Sequence, residues 1–191
     1  PRSGACRSPS ERPSHGADRV RLSYRSPLHL VIPSEFWSPK AVAIAAGPGH
    51  TCALTEKAGL CWGDNSLGEV GDGTTTNRSA PVIYERVSGI TGITTNGYGH
   101  SCDVTTSGSA RCWGFNAAGQ LGDGSTTDRL GPTPVIELRS AVVIAAGSIH
   151  TCALIDTGAA SCWGGNQYGQ IGDGTTTNRL SPVAVRGMRG G

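Results

Sequence analysis

GHTCALTEKAGLCWGDN, residues 49–65, sets a His, two Cys and a Trp into seventeen positions. Alone, the stretch fits a metal site, a redox pair or an architectural hairpin. Its surroundings narrow the choice, because it comes back. Residues 44–54 read IAAGPGHTCAL and residues 144–154 read IAAGSIHTCAL, with ITTNGYGHSCDV at 93–104 in the same place between them. His50, His100 and His150 are spaced by 50 residues. Cys52, Cys102 and Cys152 follow, then Cys61, Cys112 and Cys162, each of the latter followed by Trp-Gly. GEVGDGTTTNR (68–78), GQLGDGSTTDR (119–129) and GQIGDGTTTNR (169–179) come next, and each unit is read as closing on a Pro-Val pair: Pro81-Val82, Pro134-Val135 and Pro182-Val183.

Each unit holds four strand candidates with turn signals between them, within about 50 residues. AVAIAA at 41–46 is apolar throughout and predicts a strand buried on both faces. HTCALT and LCWGDN flank a turn, and PVIYE follows the Gly-Asp-Gly segment. The 29 Gly and 11 Pro, with only 16% charged residues, favour short strands joined by tight turns over helices. The fold class is therefore all-β, a partial β-propeller of about three four-stranded antiparallel blades at approximately 41–87, 88–139 and 140–187. Residues 1–37 do not match the repeat. They carry seven Ser, six Arg and five Pro, which predicts a disordered segment or linker, with LHLVI at 28–32 as a strand candidate.

The pattern A-A-G-x-x-H-T-C-A-L followed by C-W-G-x-N-x-x-G-Q-L-G-D-G-T resembles the repeat of the regulator of chromosome condensation family, in a cysteine-bearing form associated with bacterial proteins. The resemblance covers roughly residues 41–187. It implies a propeller, usually of seven blades, so three repeats imply a fragment of a longer protein. It also implies that guanine-nucleotide exchange on a small GTPase is an alternative function, although no residue here is matched to that role.

The Cys and His residues have three competing readings. In the third unit a loop Asp156-Thr157-Gly158 sets Cys152 opposite Cys162, and Thr106-Ser107-Gly108 sets Cys102 opposite Cys112. A four-residue loop between Leu54 and Gly59 sets Cys52 opposite Cys61, so three hairpin disulfides are the favoured reading. Buried thiols packing between blades are the second. Zinc or redox chemistry is the third, weakened by the lack of Cys-x-x-Cys and of a fourth ligand. Cys6 lies outside the array. His50, His100 and His150 are expected to be structural, bonding backbone groups of the turn they follow. Trp62, Trp113 and Trp163 are expected to fill the gaps between blades.

The Gly-Asp-Gly segments lack the Gly-Lys-Ser/Thr of a phosphate loop, and 64–75 puts Gly68 where a calcium loop needs an oxygen, so turn formation explains them. Arg78, Arg129 and Arg179 are expected to tie these loops to a neighbouring blade. No nucleophile elbow or paired carboxylates suggest catalysis, and no catalytic, cofactor or metal residue is assigned. An accessory domain of a larger enzyme is a further alternative.

Function is expected instead where repeats differ. The positions before each His (Pro48-Gly49, Tyr98-Gly99, Ser148-Ile149), those after Trp-Gly (Asp64, Phe115, Gly165) and the set Leu67, Ala118, Tyr168 differ from unit to unit. Tyr98, Phe115, Ile149 and Tyr168 are the candidate partner-binding residues. The expected partner is a protein or glycan. Residues 38–191 carry ten basic and eleven acidic residues, so no basic face for nucleic acid is present, and no apolar run reaches membrane-spanning length. Six array cysteines suit an extracellular or cell-envelope setting, or the cytoplasm if they are reduced. Open blade edges make self-association an expectation.

Overall fold

Three four-stranded antiparallel sheets follow one another along the chain in the computed structural model, which describes residues 40–86, 89–96 and 98–188. The segment 1–37, its LHLVI run and Cys6 lie outside the described residues. Blade 1 consists of β1 (Ala41–Ala46), β2 (His50–Thr55), β3 (Gly59–Gly63) and β4 (Arg78–Glu85). Blade 2 consists of β5 (Ile90–Thr95), β6 (His100–Thr105), β7 (Ala110–Gly114) and β8 (Arg129–Pro134). Blade 3 consists of β9 (Ala141–Ala146), β10 (His150–Ile155), β11 (Ala160–Gly164) and β12 (Arg179–Ala184). Strands are neighbours in chain order within every sheet, and no helix occurs among the described residues.

The hairpin at the centre of each blade sets the register. Thr105 and Ile155 close three-residue loops onto Ser109 and Ala159, with Gly108 and Gly158 at φ +74° and +87°. In the first blade Thr55 closes a shorter turn onto Ala58. Either closure brings the same residues opposite each other: Cys52 with Cys61, Cys102 with Cys112, Cys152 with Cys162. Each pair is joined as a disulfide with Cα atoms 4.1 Å apart, the close spacing of a non-hydrogen-bonded antiparallel pair. Beyond the cysteine, each blade has a register irregularity at the Trp.

The core lies between blades rather than within one. Even positions of β2 and β6 (His, Cys, then Leu54 or Val104) face the following blade. Trp113 and Trp163, on the other face of their strands, face the preceding one. At the first junction Cys52, Cys61, Val70, Tyr84 and Trp113 form one cluster. At the second, Cys102, Cys112, Leu121, Ile144 and Trp163 belong to another. Trp113 and Trp163 are fully buried, and a Trp→Ala change at such a site costs about 3–5 kcal/mol.

The first strands pack beside each other, β1 against β5 and β5 against β9, so the blades splay outward from them. Small residues suit that crowded edge. AVAIAA is not buried on both faces as its composition suggests. Ile44 is 69% exposed, whereas Ile144 at the same repeat position is 7% exposed. The difference is the neighbour: blade 2 precedes Ile144, and no described blade precedes Ile44. The opposite face behaves in mirror fashion, with Leu54 buried under blade 2 and Leu154 42% exposed.

The strand that closes each blade also differs from the sequence reading. Cys61 pairs with Val82 and Cys162 with Val183, but Cys112 pairs with Thr133. The equivalent dipeptide in blade 2 is thus Pro132-Thr133, not Pro134-Val135. A β-branched Thr fills the same strand position as Val.

Candidate functional site

Antiparallel pairing puts the β1–β2 and β3–β4 loops of each blade at one end and the central hairpin turn at the other. The long β3–β4 loops are built around a buried Asn. In blade 2, Asn116 Nδ2 donates to the Thr127 carbonyl at 3.0 Å and to Asp123 Oδ1 at 3.2 Å, while its Oδ1 accepts from the Leu121 amide at 3.0 Å. Asn65 and Asn166 repeat the arrangement. Asp123 accepts from the amide and hydroxyl of Ser125 and from Arg129 Nε at 2.7 Å. Arg78 and Arg179 bind Asp72 and Asp173 in the same way. The arginines therefore tie each loop to its own aspartate, not to a neighbouring blade, because the chain folds back within six residues. The Thr175 hydroxyl and amide and the Arg179 guanidinium hold the Asp173 carboxyl down at about 2.

Each junction carries the same polar relay. The Ser101 hydroxyl and the Trp113 indole both donate to the Glu69 carbonyl, at 3.1 and 2.8 Å, and His50 Nε2 stands 2.8 Å from Ser101 Oγ. One junction on, Thr151 and Trp163 donate to the Gln120 carbonyl at 2.8 and 2.9 Å, with His100 Nε2 at 2.9 Å from Thr151 Oγ1. A hydroxyl has one proton, and the carbonyl takes it. The imidazole must then donate from Nε2. At the second junction the Asn96 amide donates to His100 Nδ1 and to the Gly147 carbonyl, so Nδ1 is an acceptor and the His100 imidazole is neutral. Burial presses the His50 pKa down to about 4, against a pull upward from Asp64, and His100 down to about 3. His50 and His100 thus reach across to the next blade rather than bonding backbone groups of the turn they follow. His150 is half-buried, and burial lowers its pKa as well.

The variable positions occur as matched pairs. The amides of Asp64, Phe115 and Gly165 donate to the carbonyls of Gly49, Gly99 and Ile149 at 2.7–2.8 Å. One member of each pair is Gly: Gly49 with Asp64, Gly99 with Phe115, and Ile149 lying over Gly165. Tyr98 is 62% and Tyr168 85% exposed, while Phe115 and Ile149 are half-buried. All four stand on loops at the same end of the blades. A cleft of about 170 Å³ opens there between blades 1 and 2, lined by His50, Asp64, Leu67, Glu69, Asn96 and Tyr98. Among the described residues, no group of three or more His, Cys, Asp or Glu is placed to hold a metal ion.

Several residues that shape the site are not singled out by the sequence motifs. Glu69 reads as a variant of the repeated Gln. Asn96 reads as a loop residue, though its loop is one residue longer than those of the other units. Asp103 and Arg111 stand where blade 1 has Ala53 and Leu60. Arg111 binds Asp103 through two nitrogens, at 2.6 and 3.0 Å, and reaches Glu85 of blade 1 at 2.9 Å. Tyr84 completes this cross-blade network, 3.3 Å from Asp103 and with its ring centroid 4.6 Å from that of Trp113. Departures from the repeat at two opposed positions were the available cue.

Residues 107–154 and 158–191 match the sequence model of the regulator of chromosome condensation (RCC1) repeat, and residues 41–69 and 141–170 match a second model of the same description. Together the matches cover more than half of the chain. The chain is 37% identical over 94 residues to the Ultraviolet-B receptor UVR8 of Arabidopsis thaliana, covering 48% of this chain and 21% of that protein. It is 35% identical over 101 residues to the Probable E3 ubiquitin-protein ligase HERC4 of Mus musculus, covering 51% of this chain and 10% of that one. The chain thus spans less than a quarter of the length of either relative. Among solved structures, human WBSCR16 superposes with a TM-score of 0.67 at 21% identity, over 76% of this chain and 39% of its own. Prp20p of Saccharomyces cerevisiae gives 0.62 at 23% identity, over 75% and 38%. The chain belongs to the regulator of chromosome condensation (RCC1) repeat family, and its described residues are three blades of that family's β-propeller.

Proposed function

We propose that the chain is a non-enzymatic scaffold that binds a protein partner through the loop-bearing end of its blades. The observation that carries this reading is the division of labour among its residues. Side chains that recur in every unit are taken up in loop boxes, disulfides and junction relays. Among those that differ, Tyr98 and Tyr168 stand exposed at one end. Exposed tyrosines on a rigid frame are suited to be interface anchors. The structure of Prp20p is described together with that protein's binding to Gsp1p and histones, which supports a protein as the class of partner. Three disulfides support an oxidising compartment, and hence export.

The test is photo-cross-linking in the native source, with a benzophenone amino acid placed at Tyr168 or, as control, at Lys57 in the hairpin turn of the opposite end. The expected result is one protein cross-linked at 168 and not at 57. Equal cross-linking at both ends, or none at 168, overturns the reading.

A further inference from the structure

Three of the positions at which the repeats differ in charge meet at one end of the first junction. Asp64 stands where the following blades have Phe115 and Gly165, Glu69 where they have Gln120 and Gln170, and Asp128 of blade 2 where its neighbours have Asn77 and Asn178. The hydrogen bonds that Glu69 and Asp128 accept do not require their charges. Gln120 and Gln170 accept from the amides of Ala118 and Tyr168 at 2.9 Å, as Glu69 accepts from Leu67 at 2.8 Å. Asn77 and Asn178 accept from Asn65 and Asn166 at 2.9 Å, as Asp128 accepts from Asn116 at 2.7 Å.

Asp64 and Glu69 line the cleft, and among the described residues no Lys or Arg pairs with either of them or with Asp128. Glu69 is 3% exposed. Burial raises its pKa, partly offset by amide hydrogen bonds, and the charges of Asp64 and Asp128 raise it further. Glu69 Oε1 is also left open to the cleft by Gly99, where a Cβ would stand 2.9 Å from it. At the equivalent position blade 3 has Ile149. The second junction is thus neutral with a side chain at that spot, whereas the first is acidic and open.

We propose that this cleft receives a basic side chain, arginine by preference, from the protein partner, an inference that rests on the scaffold reading above. The volume of about 170 Å³ suits one side chain and falls short of the roughly 300–1,000 Å³ of pockets for drug-sized ligands. A guanidinium offers a planar fork to carboxylates, and Tyr98, which also lines the cleft, supplies an aromatic ring for it to stack on.

The test is a titration of the isotope-labelled 191-residue chain with N-acetyl-arginine N-methylamide, followed by amide NMR shifts. The citrulline counterpart, of the same shape without the charge, is the control. Saturable shifts at Leu67, Glu69, Tyr98 and Gly99 are expected with the arginine compound alone. Glu69→Gln, which installs the residue that blades 2 and 3 carry, is expected to keep the spectrum's dispersion and to weaken binding at least about tenfold. Equal shifts with citrulline, an undiminished response in Glu69→Gln, or tighter binding of calcium at the same amides each overturn the inference. None of those results touches the cross-link at position 168, so the two readings fail separately.

Discussion

His100 of blade 2 and Thr151 of blade 3, 51 residues apart, share a hydrogen bond of 2.9 Å donated by Nε2, while the Asn96 amide donates to Nδ1 and keeps the imidazole neutral. The folded pKa lies at about 3 for His100 and about 4 for His50, below the usual value of about 6.5. Unfolding therefore takes up protons in that interval, and the linked stability is complete above pH 6.5 and lost as pH falls toward 4 and 3. Urea unfolding at pH 7, 5.5 and 4 is expected to show a midpoint that falls with pH. His100→Gln is expected to be weaker by about 2 kcal/mol at pH 7 and less steep below it. A midpoint unchanged from pH 7 to 4 would contradict the relay.

Asn116 and Arg129 both brace the β7–β8 loop but differ in what their loss exposes. Removing the Asn116 side chain leaves buried backbone donors and acceptors unpaired, so Asn116→Ala is expected to cost about 2–4 kcal/mol. The Arg129 side chain is 39% exposed, and its pair with Asp123 is screened by solvent. Arg129→Ala is expected to cost less than about 1 kcal/mol. Chemical denaturation of both variants in parallel checks the contrast.

Gly114 sits at φ +96°, and a Cβ there would collide with the Gly99 carbonyl. That carbonyl cannot move away, because the Phe115 amide is bonded to it at 2.8 Å. Gly114→Ala is expected to lower stability by more than about 2 kcal/mol, read as a lower thermal midpoint with far-UV circular dichroism retained at low temperature.

The three disulfides close loops of nearly equal length but differ in cover. Cys52, Cys61, Cys102 and Cys112 are wholly buried, whereas Cys152 is half-buried. Under mild thiol reductant, mass spectrometry of alkylated peptides is expected to show the 152–162 link opening first. Replacing Cys102 and Cys112 together by Ala is expected to cost about 3 kcal/mol, chiefly by freeing a ten-residue loop in the unfolded chain.

The array was legible because its signal is periodic: the 50-residue return of His, Cys and Trp-Gly specifies strands, turns and blade number together. The cysteine registers followed from counting outward from a hairpin loop, where length and Gly position dictate closure. What the sequence did not disclose depends on neighbours or on loop paths. AVAIAA is apolar in composition, yet the exposure of Ile44 is decided by what packs in front of it. The partner of Arg78 follows from a loop that folds back on itself, which no spacing rule specifies. Pro134-Val135 imitated the dipeptide of the other units, while the true counterpart, Pro132-Thr133, hid behind a change from Val to Thr. The acidic cleft is drawn from two blades, and only superposing the repeats in space gathers Asp64, Glu69 and Asp128 into one place.

The junction relay has a direction. Every blade offers its histidine and disulfide forward and its hydroxyl and indole backward, so two blades can join head to tail but never face to face. Such an interface is heterologous, and a chain of them grows or closes according to the rotation per step. Stability then accumulates by nearest-neighbour increments, and a whole unit transplanted in frame brings both halves of its couplings with it. The 50-residue period behaves as a cassette: the relay contacts travel with each unit, while junction-specific groups such as Glu85 and Arg111 must be matched anew.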